Sequence, residues 1–371
     1  MSDAALVVIV AIALAFDFTN GFHDTANAVA TSVSTRALSP RIAVLIAAIM
    51  NFVGAFSSTK VAKTVGGGLI NTSPGFVTAH VLFAALAGAI VWNLITWRLG
   101  LPSSSTHALI GGLLGAALAR GGQNPVDWSN LWHKTIVPGI ASPIIGFVLA
   151  GLVMVAILWA FVRVRPGPLN RGFRILQIAS GSFLAFAHGT NDAQKTMGVI
   201  ALALYAAGHS SSPANIPDWV IASAAVSMAL GTYIGGWRIM RTMGTRIFKL
   251  RPPQGFAAQA TASSVLYTVA TKYGFPVSTT HVISGSVMGA GATRGLHAVR
   301  WGVAGNILLA WIFTIPMAGL VGAGMELITR LPAGDLIVFV LAIAIAWTAF
   351  MARRWETRRL LPPEALESAP I

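Results

Sequence analysis

The chain has no cysteine in 371 residues, which excludes a disulfide framework and any thiolate site. Charge is scarce as well: 10% of residues are Asp, Glu, Lys or Arg, against roughly 25% in soluble globular domains. Acidic residues are the rarest, 11 against 25 Lys and Arg, so the formal net charge is +14. Such a balance raises nucleic-acid binding, but no basic module interleaved with aromatics supports it. A Gly-x-Ser-x-Gly turn for a serine nucleophile is missing too. So is a basic segment ahead of the first apolar run; the chain opens Met1-Ser2-Asp3, and the first helix is expected to be retained rather than cleaved as a signal. What is abundant is apolar. Hydrophobic residues make up 55%, mean hydropathy is +0.72, and long apolar runs recur along the chain. The class is therefore a polytopic membrane protein, and the basic excess reads as positive-inside bias.

Two duplications organise the runs. Leu101-Pro102-Ser103-Ser104-Ser105-Thr106-His107 returns 174 positions later as Phe275-Pro276-Val277-Ser278-Thr279-Thr280-His281. An apolar run leads into each copy (Val77 to Leu99; Phe256 to Thr271) and another leads out (Ala108 to Ala119; Val282 to Ala292). Proline is expected to break the incoming helix and the hydroxyls to cap the outgoing one. Two helical hairpins result, with tips at membrane depth, where polar backbone is tolerated only around a cavity or a site. A helix N-terminus with free N–H groups and hydroxyls receives oxyanions, and two facing tips would enclose one anion. The candidate anion ligands are Ser103, Ser104, Ser105, Thr106, Ser278, Thr279 and Thr280, joined by Gln194. The alternative leaves these hydroxyls bonded to carbonyls of the preceding turn.

The second duplication is acidic. Ala4 to Phe16 is too short to span alone, since a helix needs ~20 residues, so the first span must run on through Asp17 to Asn27 and Val33. It is expected to unwind around Asn20 to Asp24. Ile175 to Phe186 meets His188-Gly189-Thr190-Asn191-Asp192 in the same way, with Gly21 and Asp24 matching Gly189 and Asp192 at an offset of 168. Asp24 and Asp192 are the acidic residues within the two expected breaks; Asp17 sits a turn before the first. An intramembrane carboxylate is costly and marks function. With Asn20, Asn27 and Asn191, both aspartates offer hard oxygen ligands for sodium, or carry a proton; the bland alternative is a carboxylate capping a half-helix. Lys195 needs a partner if buried, either Asp192 or the anion. Arg98 and Lys272 each precede the hairpin histidine by nine residues. They either match the dipole of the incoming helix or add positive potential at the anion. His107 and His281 are expected to orient the tips.

Charge sets the expected topology. With the N-terminus outside and each hairpin returning to its own side, 17 Lys and Arg fall inside. Five fall outside (Lys60, Lys63, Arg120, Lys134, Arg330) and three lie at depth. Residues 1–165 form one repeat with its tip at 101–107, residues 172–352 a second with its tip at 275–281, and residues 353–371 a cytoplasmic tail. The expected fold is all-α and integral to the membrane: an inverted-topology repeat with two re-entrant or broken hairpins and two discontinuous helices. That is the architecture of a secondary transporter working by alternating access. Its rivals are a membrane hydrolase and an anion channel.

Asn20-Gly21-Phe22-His23-Asp24-Thr25-Ala26-Asn27 resembles the first signature of the inorganic phosphate transporter (PiT) family, and His188-Gly189-Thr190-Asn191-Asp192 resembles the second. The Pro-Ser-Ser/Thr-Thr-His tips resemble its paired hairpins, and the resemblance covers essentially the whole chain, closest to the bacterial low-affinity branch. It implies symport of inorganic phosphate with a cation, proton or sodium, across the bacterial cytoplasmic membrane. No other cofactor and no nucleic acid are implied; membrane lipid surrounds the protein, and a homodimer is one open assembly state. The resemblance places Asp24 and Asp192 near coupling ions and the tip hydroxyls around phosphate. His23 stands where family members commonly carry Asn. This keeps proton coupling and transport of a metal–phosphate complex open beside sodium, with sulfate as the alternative anion.

Overall fold

In a computed structural model, residues 1–344 are described except 74, 123, 236–238, 241, 249, 335, 338–339 and 342–343; for Thr245 and Arg246 the backbone alone is described. Most of the expected last span, Leu336 to Ala352, lies outside the described residues, as do the tail 353–371 and Arg238, Arg241 and Lys249 of the basic loop. Regular structure among the described residues is helical. The first half runs α1 (Asp3–Ser34), α2 (Pro40–Ala55), the short α3 (Lys60–Gly67), the hairpin α4 (Ala79–Leu99) and α5 (Ser105–Arg120), then α6 (Trp128–Ala160). The second half repeats the order with α7 (Pro166–Ala206), α8 (Asp218–Ile234), the hairpin α9 (Pro252–Thr268, extended by a π-helical turn, Val269–Tyr273) and α10 (Thr279–Ala292), then α11 (Trp301–Thr329). Local chemistry sets the starts. Ser2, Thr78 and Asp127 accept hydrogen bonds from first-turn amides, and Pro40, Pro166 and Pro252 open helices where no N–H is needed. Among the described residues, four helices are long and apolar enough to cross a membrane, and α2 with α3, bent by 72°, makes a fifth if the pair counts as one span.

Both hairpins form, but glycine rather than proline ends the incoming helix. Gly100 (φ 67°, ψ 26°) and Gly274 (φ 67°, ψ 25°) adopt the same left-handed conformation, which a Cβ would strain. Pro102 and Pro276 follow two residues later and prevent the helix from resuming. The outgoing helices then start on Ser104 and Ser278, whose side chains accept from the amides of His107 and His281.

The expected unwinding of the first helix of each half does not occur. α1 and α7 pass unbroken through Asn20–Asp24 and His188–Asp192. Several of their polar side chains find partners laterally instead. Thr25 bonds back to the Gly21 carbonyl (2.6 Å) and across to that of Thr232 (3.1 Å), while Thr190 bonds the carbonyls of Phe186 and Gly54. With neighbours supplying partners, the backbone need not open to do so.

The two halves exchange partners. α1 packs on α8 and α2 on α7; the hairpin α4–α5 packs on α11, and the hairpin α9–α10 on α6. Each helix thus meets the counterpart of its own sequence neighbour. Among the described residues, the buried apolar side chains form two clusters. On α1 the first cluster ends at Phe16 and the second begins at Ala26; on α7 the changeover falls between Ala187 and Ala193. Both polar stretches lie at these junctions.

Candidate functional site

Helical spacing puts Asp17, Asn20, Asp24 and Asn27 on one face of α1, and His188, Asn191, Asp192 and Lys195 on one face of α7. All eight are buried, with Lys195 among the largest fully buried side chains. Ser103 to His107 and Ser278 to His281 are buried as well. The two faces and the two tips meet.

Each acidic face grips both tips. Ser105 donates to Asp24 Oδ2 (2.6 Å), and Asn27 Nδ2 donates to Thr280 Oγ1 (2.8 Å). Thr279 donates to Asp192 Oδ1 (3.2 Å), and Lys195 Nζ donates to Thr106 Oγ1 (2.8 Å). Under the sequence offsets, Asp24–Ser105 becomes Asp192–Thr279, and Asn27–Thr280 becomes Lys195–Thr106. One exchange of halves therefore relates all four contacts. Lys195 also pairs with Asp192 Oδ2 at 2.8 Å, the first of the two partners open for it in the sequence. Asn191 Nδ2 reaches Asp192 Oδ1 (2.6 Å) and the Val277 carbonyl (2.7 Å), fixing the second tip.

The remaining expected residues divide. Ser104 and Ser278 are engaged as helix caps, and Ser103 bonds Thr96 (2.8 Å) beside His23. Gln194 does not serve a tip: its Oε1 accepts from the amides of Val61 (2.8 Å) and Ala62 (3.2 Å) in the first turn of α3, and its Nε2 bonds the Thr190 carbonyl. Arg98 and Lys272 are exposed near the ends of their helices, away from the buried centre, which favours the dipole reading. His107 and His281 meet edge to face at 4.7 Å; His281 stacks on Trp311 at 3.9 Å, and Trp311 bonds the Pro102 carbonyl. They tie the two tips back to back.

Some partners were invisible in sequence. Asn51 of α2 donates to Thr232 (2.8 Å), which turns its Oδ1 to His188 Nδ1 at 3.0 Å. That arrangement places the proton on Nδ1. Nε2 then faces Asp192 Oδ2 at 3.2 Å as a second acceptor unless it binds a proton or a cation. One ligand atom each from Asp24, His188 and Asp192 lies within 4.8 Å of the others, a spread that suits one ion about 2.3–2.6 Å from each. His23 supports the site differently, with Nδ1 on Asp24 Oδ1 (2.7 Å) and Nε2 beside Thr96 (3.2 Å). Glu326, buried in α11 near Arg120 (4.0 Å) and Arg330 (3.7 Å), was signalled only by being acidic within an apolar run.

A polytopic helical protein with a duplicated, fully buried centre of carboxylates and hydroxyls belongs to the class of membrane transport proteins. The family model described as the phosphate transporter family matches residues 20–171 and 163–322. The chain belongs to the phosphate transporter family, whose role is transport and not catalysis. It is 51% identical over 323 residues to a probable low-affinity inorganic phosphate transporter of Mycobacterium tuberculosis (strain CDC 1551 / Oshkosh), covering 86% of this chain and 76% of that one. Proteins of the same description from Rhizobium meliloti (strain 1021) and Bacillus subtilis (strain 168) are 51% and 46% identical, over 86% and 85% of this chain and 94% and 95% of theirs. A solved structure, the sodium-dependent phosphate transporter, superposes with a TM-score of 0.79 at 23% identity, over 88% of this chain and 99% of that one; it bears on the fold alone.

Proposed function

We propose that the chain carries inorganic phosphate across a bacterial cytoplasmic membrane by symport with a cation, proton or sodium, through alternating access between two inverted repeats. The observation that carries this reading is that the hydroxyls best placed for an anion are the same ones that satisfy the carboxylates. Ser105 serves Asp24, and Thr279 serves Asp192. When these hydroxyls, with Thr106 and Thr280, turn to phosphate, Asp24 and Asp192 lose donors inside a buried centre. An uncompensated carboxylate there is costly, so each takes up a cation or a proton. Lys195, already on Thr106, adds a positive donor to the anion. Substrate and coupling ion thus enter together, because either alone leaves charge unpaired.

The test is uptake of radiolabelled phosphate into proteoliposomes with sodium and pH gradients imposed separately. Accumulation above equilibrium under one gradient supports symport; phosphate flux that neither gradient drives contradicts it. A second reading, transport of a divalent metal–phosphate complex, is favoured by His188 beside the two carboxylates. In that case uptake requires the metal and both labels accumulate in equal amounts.

A further inference from the structure

Asp17 plays no part in the contacts above, yet it is fully buried. Among the described residues, neither of its carboxylate oxygens has a partner within hydrogen-bond distance and angle, and the same holds for both side-chain polar atoms of Asn20 and for Thr196 Oγ1. Asn20 of α1 and Thr196 of α7 are the uncharged side chains that act on the Asp17 carboxylate. Phe16 and Met197, the chain neighbours of Asp17 and Thr196, belong to the apolar core. The other charged groups that act on Asp17 are Lys195 and Asp192. Lys195 is held by Asp192 and Thr106 at 2.8 Å each, so its ammonium acts on Asp17 through space while its direct partners lie elsewhere.

The fold does not require this polar group. Under the 168-residue offset, Asp17 and Thr196 correspond to Ala185 and Ala28, and these two alanines lie together in the second apolar cluster. The same architecture is therefore built with alanine at both places. A carboxylate kept in the other half, against a desolvation cost of several kcal/mol per ion, answers to something other than packing.

Resting on the symport reading, we propose that Asp17, Asn20 Oδ1 and Thr196 Oγ1 form a further cation site, separate from Asp24 and Asp192, for a hard monovalent ion such as sodium. All three donors are oxygens, which suits a hard cation, and a single carboxylate suits a single positive charge. Seven residues of helix set the site about 10 Å along α1 from Asp24. Asn20 lies between the two aspartates on the same face. The site is thus one step from the centre, where an ion waits on its way to or from Asp24.

The test is equilibrium binding of 22Na to the purified full-length protein in detergent. Asp17→Ala combined with Thr196→Ala reproduces the pair found in the other half and is checked for folding by a monodisperse elution profile. The wild type is expected to bind one sodium more per chain than this variant. Thr196→Val alone, which changes least in volume, should weaken sodium binding several-fold. Equal stoichiometry in wild type and double variant overturns the site, and so does a wild type that binds no sodium. Phosphate uptake in proteoliposomes is scored separately: if wild type does not transport phosphate, the symport reading falls whatever the sodium count.

Discussion

Lys195 shows how much one residue decides. Its ammonium pairs with Asp192 and donates to Thr106, so it joins an acidic face to the opposite tip. Removing one member of a buried pair leaves the other uncompensated, at about 3–5 kcal/mol. Lys195→Met is therefore expected to lower the melting temperature in detergent markedly. Adding Asp192→Asn should restore much of the loss, because no bare charge then remains. A double variant no more stable than Lys195→Met would show that Lys195 acts through something other than this pair. Arg98 is a contrast: also basic and within an apolar stretch, it is exposed and far less sensitive to replacement on this account.

Among the elements, the hairpins are held by backbone-to-backbone approach. A Cβ on Gly115 of α5 would strike the Gly319 carbonyl of α11, and one on Gly289 of α10 would strike the Phe147 carbonyl of α6. These are corresponding contacts, since Gly115 and Gly289 differ by the hairpin offset. Pro143 lies inside α6 and Pro316 inside α11. Because the obstruction is main chain and not a mobile side chain, Gly115→Ala and Gly289→Ala should each destabilise by about 1–3 kcal/mol. Gly324→Ala in α11, with no atom of the described residues within 4 Å of the added Cβ, is the control and should be neutral or slightly stabilising. Thermal unfolding of the three variants side by side checks this. Equal stability of all three would mean the hairpins have room to move apart.

At the scale of the whole molecule, exchange of halves accounts for the helix pairing, the hairpin packing and the contacts at the centre. Inverted orientation of the halves is the proposal that follows, and it predicts where the hairpin ends face. Ser73, before the first hairpin, should lie outside, and His297, after the second, inside; both are exposed. The absence of native cysteine makes single-cysteine labelling free of background. Ser73→Cys is expected to react with an impermeant maleimide in intact cells, and His297→Cys only in inside-out vesicles. Labelling of both from the same side would exclude inversion.

The sequence by itself determined the membrane class, the helical build, the duplication and the residue types of the centre. Each of these depends on composition or on short-range spacing. Apolar runs require burial in lipid or core, and hydroxyls after a helix stop cap the next helix, as Ser104 and Ser278 do. Tertiary structure decided which polar groups meet. Asn27 and Thr280 are 253 residues apart, and nothing local to either announces the other. The same reason explains the unbroken α1 and α7: whether a buried polar stretch unwinds depends on whether neighbours offer partners, and Thr232 and Thr280 do. Gln194 has the right chemistry for an anion, but packing of α3 against α7 gives its carbonyl oxygen two amides first. A sequence states what each side chain can donate or accept, and the fold selects the partner, because a buried polar group must be satisfied by whatever the packing brings within reach.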